Sequence, residues 1–168
     1  MNNSISKMEL NSEAKSYLSK MRNPFIFWWA MLFKLPSVIF WKVKVKSLDL
    51  EKCEITIPYF WRSQNPFQSI YFAALAGAAE LSTGLLCQLS LAGKGKYSML
   101  VVDFKAEFQK KANQKITFTC NQGIELNSLI TSLKPLETGK ITLVSRGVNP
   151  KGETVAQFFI TWSFKRKS

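Results

Sequence analysis

The sequence predicts an α+β fold in which an antiparallel sheet wraps around one long central helix. The first observation is an apolar stretch over residues 65–84 that carries a single charged residue, Glu80. A helix without a polar face is normally buried on most sides. The second observation is the order of elements, because two strands precede this helix and about four follow it. A sheet that covers the helix explains why the helix has no polar stripe.

Composition limits the protein to one main core and excludes several chemistries. The chain has 168 residues, and 46% of them are hydrophobic, which is enough to bury a core. A net charge of +12 indicates an anionic partner, such as nucleic acid, an acidic membrane surface or the phosphates of coenzyme A, unless it serves solubility alone. Histidine is absent from the sequence, so His-based triads and His metal sites are excluded.

The cysteines and the beginning of the chain predict a cytoplasmic protein. Cys53, Cys87 and Cys120 are widely spaced and fit neither a zinc site nor a disulfide pattern. We therefore expect no metal site, and we interpret the cysteines as reduced core thiols. Residues 1–20 are polar and lack the apolar segment of a secretory signal.

Two helices are expected before the sheet. The first covers Ser12–Arg22, with Ser12 as its N-cap. The second begins at Pro24 and ends at Pro36. It is rich in aromatic residues, but Lys34 and Pro36 interrupt its apolar run, which is short for a membrane span. These interruptions favour a helix packed over the core, with a helix anchored at a membrane surface as the alternative.

Alternation of apolar and polar residues predicts the strands. In the third strand, Leu100, Val102 and Phe104 should share the core face with the apolar residues that follow them. A short helix over 126–133 interrupts the later strands, and Pro135 closes it. The central helix should start directly after Pro66 and end near 93–96. The predicted strands are 41–46, 53–57, 100–109, 116–120, 141–145 and 156–164.

Glu80 lies on a helix face made of small residues. Ala73, Ala76, Gly77 and Gly84 share its face at about 3.6 residues per turn, so a strand, a partner helix or a ligand can approach closely. A carboxylate in such a crevice should have a raised pKa. Acids of this kind cluster at functional sites, although structural ion pairs produce them too.

Residues 41–164 resemble the hotdog fold of the acyl-CoA thioesterase superfamily. The likeness is greatest to phenylacetate-pathway-type thioesterases and to a further branch of thioesterase-like proteins. Those thioesterases have an Asn, then His-Gly-Gly at the start of the central helix, then an acid two turns later. Asn65 stands at the Asn and Glu80 at the acid, while Tyr71-Phe72-Ala73 replaces His-Gly-Gly. The segment 101–112 is similar to the strand after the helix.

The resemblance implies a role for each residue of the motif. Glu80 would act as general base or nucleophile on a thioester, Asn65 would hold water or the carbonyl, and the Phe72 N–H would polarise that carbonyl. The alternatives are a structural acid at Glu80 and a turn residue at Asn65. The implied substrate-binding residues are Ser69, Tyr71, Ala73, Gly77, Lys110 and Lys111.

Other residues near the helix have competing interpretations. Ser69 is also a candidate cap for the helix. Lys94 and Lys96 join Lys110 and Lys111 as candidate contacts to the phosphates of coenzyme A, or all four lie on a solvated surface. The tryptophans either line an acyl tunnel or belong to the core; they are Trp28, Trp29, Trp41, Trp61 and Trp162.

The predicted function is hydrolysis of an acyl-CoA thioester in a groove at the interface of a homodimer or a dimer of dimers. Coenzyme A enters only as part of the substrate, and no other cofactor is expected. The rival interpretation is a non-catalytic hotdog protein that binds acyl chains or lipids, with peripheral contact to a membrane. Nucleic acid is not expected, because the exposed aromatic-basic signatures of such domains are missing. We expect a helical extension over 1–40 and a hotdog domain over 41–168.

Overall fold

The computed structural model of the protein describes residues 10–168. The first nine residues of the predicted extension lie outside this range, and the division at residue 40 stays a prediction. Five α-helices and six β-strands occur within residues 10–168. Their bounds are α1 Ser12–Arg22, α2 Pro24–Lys34, α3 Pro36–Phe40, β1 Lys44–Leu48, β2 Cys53–Ile57, α4 Phe72–Leu91, β3 Tyr97–Phe108, β4 Ile116–Cys120, α5 Gly123–Ser132, β5 Thr138–Val148 and β6 Thr154–Arg166.

The strands form one antiparallel sheet around α4. Their order is β1-β2-β4-β5-β6-β3, so β1 and β3 are the two edge strands. The helix packs on β2, β4, β5 and β6, and the predicted α+β fold is confirmed. Of the helices in the described part, α4 alone is long and apolar enough to cross a membrane, but 67% of its most apolar window is buried inside the protein. A core helix has these properties too.

Of the N-terminal helices, α1 packs beside β1 and one end of α4, while α2 packs against α1 and α3. Asn11 rather than Ser12 caps α1, because its Oδ1 accepts a hydrogen bond from the Ala14 N–H at 2.8 Å. The Asn11 amide also donates to the Ala92 carbonyl at 2.9 Å. This second bond ties the start of α1 to the end of α4, which favours Asn over Ser at the cap.

The first strand begins later than predicted. Pro36 ends α2, as expected, but it also starts α3, a separate five-residue helix. Lys42 then takes a left-handed conformation, with φ of 53°, which turns the chain before it enters the sheet. Trp41 and Val43, predicted as strand residues, therefore precede β1.

The central helix also begins later than predicted. The chain after Pro66 is irregular, and α4 starts at Phe72. Gln68 has φ of 56°, which interrupts any helix there. The end of α4 at Leu91 agrees with the predicted end near 93–96.

A β-bulge at Val102 divides β3 into two parts. The register shifts between Val101 and Asp103, so the residues that face the core change parity at this point. Leu100 was predicted on the core face, but it pairs with Ser163 and is exposed. The β3 residues opposite the buried residues of β6 are Met99, Val101, Phe104, Ala106 and Phe108.

The three cysteines are free and fully buried. Cys53 and Cys120 are direct neighbours across the β2–β4 pair. Burial raises the pKa of Cys53 and Cys87 and raises the pKa of Cys120 to about 11. Little thiolate is therefore present near neutral pH, and the thiols behave as apolar core groups.

Candidate active site

A pocket of about 410 Å³ opens at the N-terminus of α4. It lies between the loop 65–71, the first turn of the helix and the segment that follows β3. Six of the predicted site residues line it: Asn65, Ser69, Tyr71, Phe72, Lys110 and Lys111. The backbone brings these residues together because the Ile70 N–H donates to the Ala112 carbonyl at 2.7 Å, and the Tyr71 N–H donates to the Ser63 carbonyl at 2.7 Å.

Asn65 organises the loop in front of the helix. Its Oδ1 accepts hydrogen bonds from the Phe67 N–H at 3.0 Å, the Ser69 N–H at 3.2 Å and the Ser69 hydroxyl at 3.2 Å. Asn65 is thus a turn residue, and Ser69 supports the turn instead of capping the helix. The Asn65 Nδ2 has no hydrogen-bond acceptor among residues 10–168 and lines the pocket, so it is free to donate to a ligand.

The first turn of α4 offers backbone donors to the pocket. Tyr71 occupies the N-cap position and makes no side-chain capping bond. The N–H groups of Phe72 and Ala73 find no acceptor in the described part of the chain, as is usual for a first helical turn. The positive end of the helix dipole adds to their pull on an oxyanion. The Phe72 ring leans on Tyr71, with ring centroids 4.9 Å apart.

The predicted lysines lie in two different places. Lys110 and Lys111 stand at the pocket, where Lys110 forms an ion pair with Glu153 at 2.6 Å. Lys111 has no ion pair within residues 10–168, so its charge is available to an anion. Lys94, by contrast, follows the C-terminal end of α4, about 30 Å from the pocket along the helix, and binds Asn127 and Thr131. Lys94 and Lys96 therefore do not belong to the pocket at the N-terminus of α4.

Glu80 is the acidic residue of α4, and its side chain is half-buried and unpaired. No hydrogen bond or ion pair reaches its carboxylate from residues 10–168. Burial raises the pKa of Glu80 above its ordinary value of 4.5. The pKa of Glu80 is therefore raised, as predicted, because burial disfavours the charged carboxylate and no partner among residues 10–168 offsets this effect.

Two tryptophans flank Glu80 along the helix. A Cβ added to Gly77 would meet the Trp41 ring at 2.9 Å, and one added to Gly84 would meet the Trp162 ring at 3.6 Å. The same Gly84 position lies 3.3 Å from the Glu80 Oε1. The glycines therefore admit indole rings against the helix on either side of Glu80. Trp41 and Trp162 thus lie against the helix face of Glu80, close to the acid.

One copy of the chain does not bring the acid to the pocket. Glu80 follows Phe72 by about 12 Å along the helix axis, and it does not line the pocket. Ala73 and Gly77 lie on the half-exposed face of α4 together with Glu80, away from the pocket wall. A reaction that uses both the helix N-terminus and the carboxylate needs a second copy to supply one of them.

Sequence reasoning missed the apolar wall of the pocket. Phe67, Leu75 and Phe108 contribute it. Phe67 follows Pro66 inside a turn and is 76% exposed, which is unusual for an aromatic loop residue and could have marked it as a binding residue. Within the described residues, no group of three or more His, Cys, Asp or Glu side chains could hold a metal ion.

An antiparallel sheet around one long helix, with donors at the N-terminus of that helix, defines the hotdog fold of thioesterase-like proteins. The chain belongs to the family described as domain of unknown function DUF4442, which matches residues 24–164. No curated protein matches the sequence.

Solved structures share this fold at low sequence identity. A probable thioesterase from Pseudomonas aeruginosa has a TM-score of 0.70 and 18% identity, covering 87% of this chain and 98% of its own. A thioesterase from Haemophilus influenzae has a TM-score of 0.62 and 15% identity, and the match covers 80% of this chain and 85% of its own. A protein of unknown function from Chlorobaculum tepidum has a TM-score of 0.72 and 15% identity, and the match covers 94% of this chain and 100% of its own. These likenesses establish the fold.

Proposed function

We propose that the protein hydrolyses acyl thioesters at a site shared between two copies. The observation that carries this proposal is the unpaired, half-buried Glu80 on a half-exposed helix face of a hotdog fold. A buried acid without a partner costs stability, and a role in catalysis explains why it is tolerated. The names of the thioesterases that share the fold support the same reaction class.

The proposed reaction assigns one task to each group. Glu80 removes a proton from water, and the water oxygen attacks the thioester carbonyl carbon. The Phe72 N–H and the Asn65 Nδ2 stabilise the negative charge on the carbonyl oxygen. The C–S bond then breaks, the carboxylic acid leaves, and the thiolate takes up the proton held by Glu80. Lys111 is positioned to bind an anionic group of the thiol, such as a coenzyme A phosphate.

A dimer completes this site. The core-facing side of β3 is uncovered in one copy, since Phe104 is 45% and Phe108 53% exposed there. The edge strand beside these rings has unpaired backbone groups that favour pairing with another strand. Pairing of two copies through β3 would cover the rings and the small-residue face of α4. We propose that it also brings Glu80 of one copy towards the pocket of the other.

The experiment is thiol release from short, medium, long and aromatic acyl-CoA substrates. We expect turnover by the wild type and a loss of about a hundredfold or more in Glu80→Gln. Glu125→Gln removes an exposed acid on α5 and is the matched control. The aromatic substrates also test the predicted link to the phenylacetate-pathway-type branch.

The free cysteines support the predicted cytoplasmic location.

A non-catalytic acyl or lipid carrier is the second candidate. The apolar wall of Phe67, Leu75 and Phe108 favours it, and so does Phe72, whose side chain stands where the resembled thioesterases have a glycine. Tight binding of acyl-CoA without release of thiol from any substrate would support the carrier and contradict the hydrolase.

A further inference from the structure

An exposed ladder of aromatic rings runs along α2. Phe25, Trp29 and Phe33 are four residues apart and share one helix face. The Phe25 and Trp29 ring centroids are 6.4 Å apart, and those of Trp29 and Phe33 are 6.1 Å apart. Phe25 is 71% and Phe33 79% exposed. Among residues 10–168, the one aromatic contact of this ladder outside its own three rings is Trp28, whose ring centroid lies 5.1 Å from that of Trp29, whereas the opposite face of α2 is buried through Phe27 and Met31.

A cationic pocket of about 540 Å³ lies beside the ladder. Trp28 of α2 forms part of its wall, and four cationic residues line it: Arg22, Lys42, Lys44 and Arg62. No acidic side chain is present among the described residues of its lining. An anion that entered the pocket would therefore meet positive charge without competition from a carboxylate.

Arg62 is held in this pocket by aromatic rings. Its guanidinium lies 5.1 Å from the centre of the Phe60 ring, 5.4 Å from Phe40 and 5.5 Å from Trp61. Its Nε is buried without a hydrogen-bond partner among residues 10–168. Such a guanidinium is fixed in place by stacking and keeps its donors available to an oxyanion.

The charge around the ladder argues against a second copy as its partner. Between Glu13 and Asp49 the sequence has seven Lys and Arg residues and no acid. A two-fold interface would place this surface against its own image, and like charges would repel. The proposed dimer edge, β3, also lies at the opposite end of the sheet from β1, the strand beside which α1 packs.

We propose that this surface docks on an anionic lipid bilayer. The aromatic ladder enters the boundary between headgroups and acyl chains, where Trp and Phe rings are favoured. The cationic pocket receives a lipid phosphate, and the surrounding lysines face the negative membrane. This inference is independent of the proposed hydrolase activity, since soluble acyl-CoA needs no membrane.

Flotation of the full chain with vesicles tests the proposal. One set of vesicles is phosphatidylcholine alone, and the other contains about one quarter phosphatidylglycerol. We expect flotation with the anionic vesicles, a blue shift of tryptophan emission, and weaker binding at high salt because exposed charges are screened.

Two pairs of variants test the two parts of the surface. Trp29→Ser with Phe33→Ser should weaken vesicle binding about a hundredfold, whereas Ile124→Ser with Leu136→Ser, also exposed apolar residues, should not. Lys42→Gln with Arg62→Gln should weaken it about twentyfold. Lys134→Gln with Lys140→Gln removes the same charge elsewhere and should have little effect. Thermal melting checks that all four variants fold, and thiol release should stay at the wild-type level in the aromatic pair.

Four results would overturn the proposal. One is the absence of flotation with anionic vesicles. Another is an equal loss of binding in the variants and their controls. The third is binding of soluble inorganic phosphate without flotation, which would assign the pocket to a free anion. A lower molecular mass of the Trp29→Ser/Phe33→Ser variant in light scattering would likewise count against it, because a second copy would then cover the ladder.

Discussion

At the scale of single residues, the proposed role of Glu80 predicts how activity depends on pH. The proposed base must be deprotonated, and burial raises its pKa above 4.5. Activity should therefore fall with decreasing pH through that raised pKa, so the acidic limb of kcat/KM lies above pH 4.5. A pH profile of the initial rate at substrate concentrations well below KM measures it. A limb at or below pH 4.5, or the same limb in residual Glu80→Gln activity, would contradict the assignment.

Also at the scale of single residues, the hydroxyl of Thr83 connects α4 to the sheet. It accepts a hydrogen bond from Trp162 Nε1 at 3.0 Å, and both residues are buried. Thr83→Val keeps the shape but leaves the indole N–H unpaired, so we expect a loss of about 1–3 kcal/mol in the free energy of unfolding. Urea denaturation measures the loss. Thr142→Val, at an exposed hydroxyl pair on β5, is the control and should be nearly neutral; equal losses would refute the argument.

At the scale of elements, β5 tests how rigidly the core is packed. A Cβ at Gly147 would meet the ring of the fully buried Phe118 at 2.5 Å, so Gly147→Ala should cost about 1–3 kcal/mol. A Cβ at Gly139 would meet only the ends of Leu133 and Leu129, at 2.9 and 3.0 Å. These ends can move, and the smaller entropy of the unfolded chain offsets about 0.4–1 kcal/mol.

Thermal or urea unfolding of the two β5 variants decides between rigid and adaptable packing. Gly139→Ala should remain close to the wild type. If Gly139→Ala were as destabilised as Gly147→Ala, the strand itself, rather than the Phe118 ring, would be the source of the loss.

The strands with strict alternation could be predicted from the sequence, and irregular elements could not. Residues of β2 and β4 alternate between buried and half-buried without exception. In β3, Leu100, Val101 and Val102 are all apolar, so the pattern contains no sign of the bulge. At the start of α4, the Tyr71 N–H donates to the Ser63 carbonyl, a contact between distant positions of the loop that the pattern of apolar residues around Phe72 does not express.

The sequence predicts residues for the candidate site, but not how these residues are separated in space. Asn65 and Glu80 match positions of the motif in the resembled thioesterases, and their roles stay predictions. Their separation in one copy follows from the straight course of α4, which a pattern along the chain does not express. The partners of Lys94 lie on α5, so only the folded chain shows that this lysine is remote from the pocket.

At the scale of the whole molecule, the proposed dimer depends on the edge strand β3. The Phe104 ring is 45% exposed on the side that a second copy would cover. Phe104→Glu should bury an unpaired charge in that interface and shift a dimer to monomers. Light scattering after gel filtration measures the mass. Thiol release should disappear together with the dimer, because one copy does not unite Glu80 with the helix mouth.

Leu136→Glu, at an exposed loop position beside Arg166 and the start of β3, seven residues along the strand from Phe104, is the control for this change and should keep both mass and activity. A Phe104→Glu monomer that retains wild-type turnover would show that a single copy is sufficient, and it would refute the shared site.

The buried cysteines have a practical consequence for these measurements. Reagents that colour on contact with free thiols can follow the release of coenzyme A without background from the folded protein, since Cys53, Cys87 and Cys120 are fully enclosed. In the absence of substrate, any slow colour must come from molecules whose core has transiently opened. The rate of labelling then measures how often the core opens, and it therefore reports the slow fluctuations of the sheet.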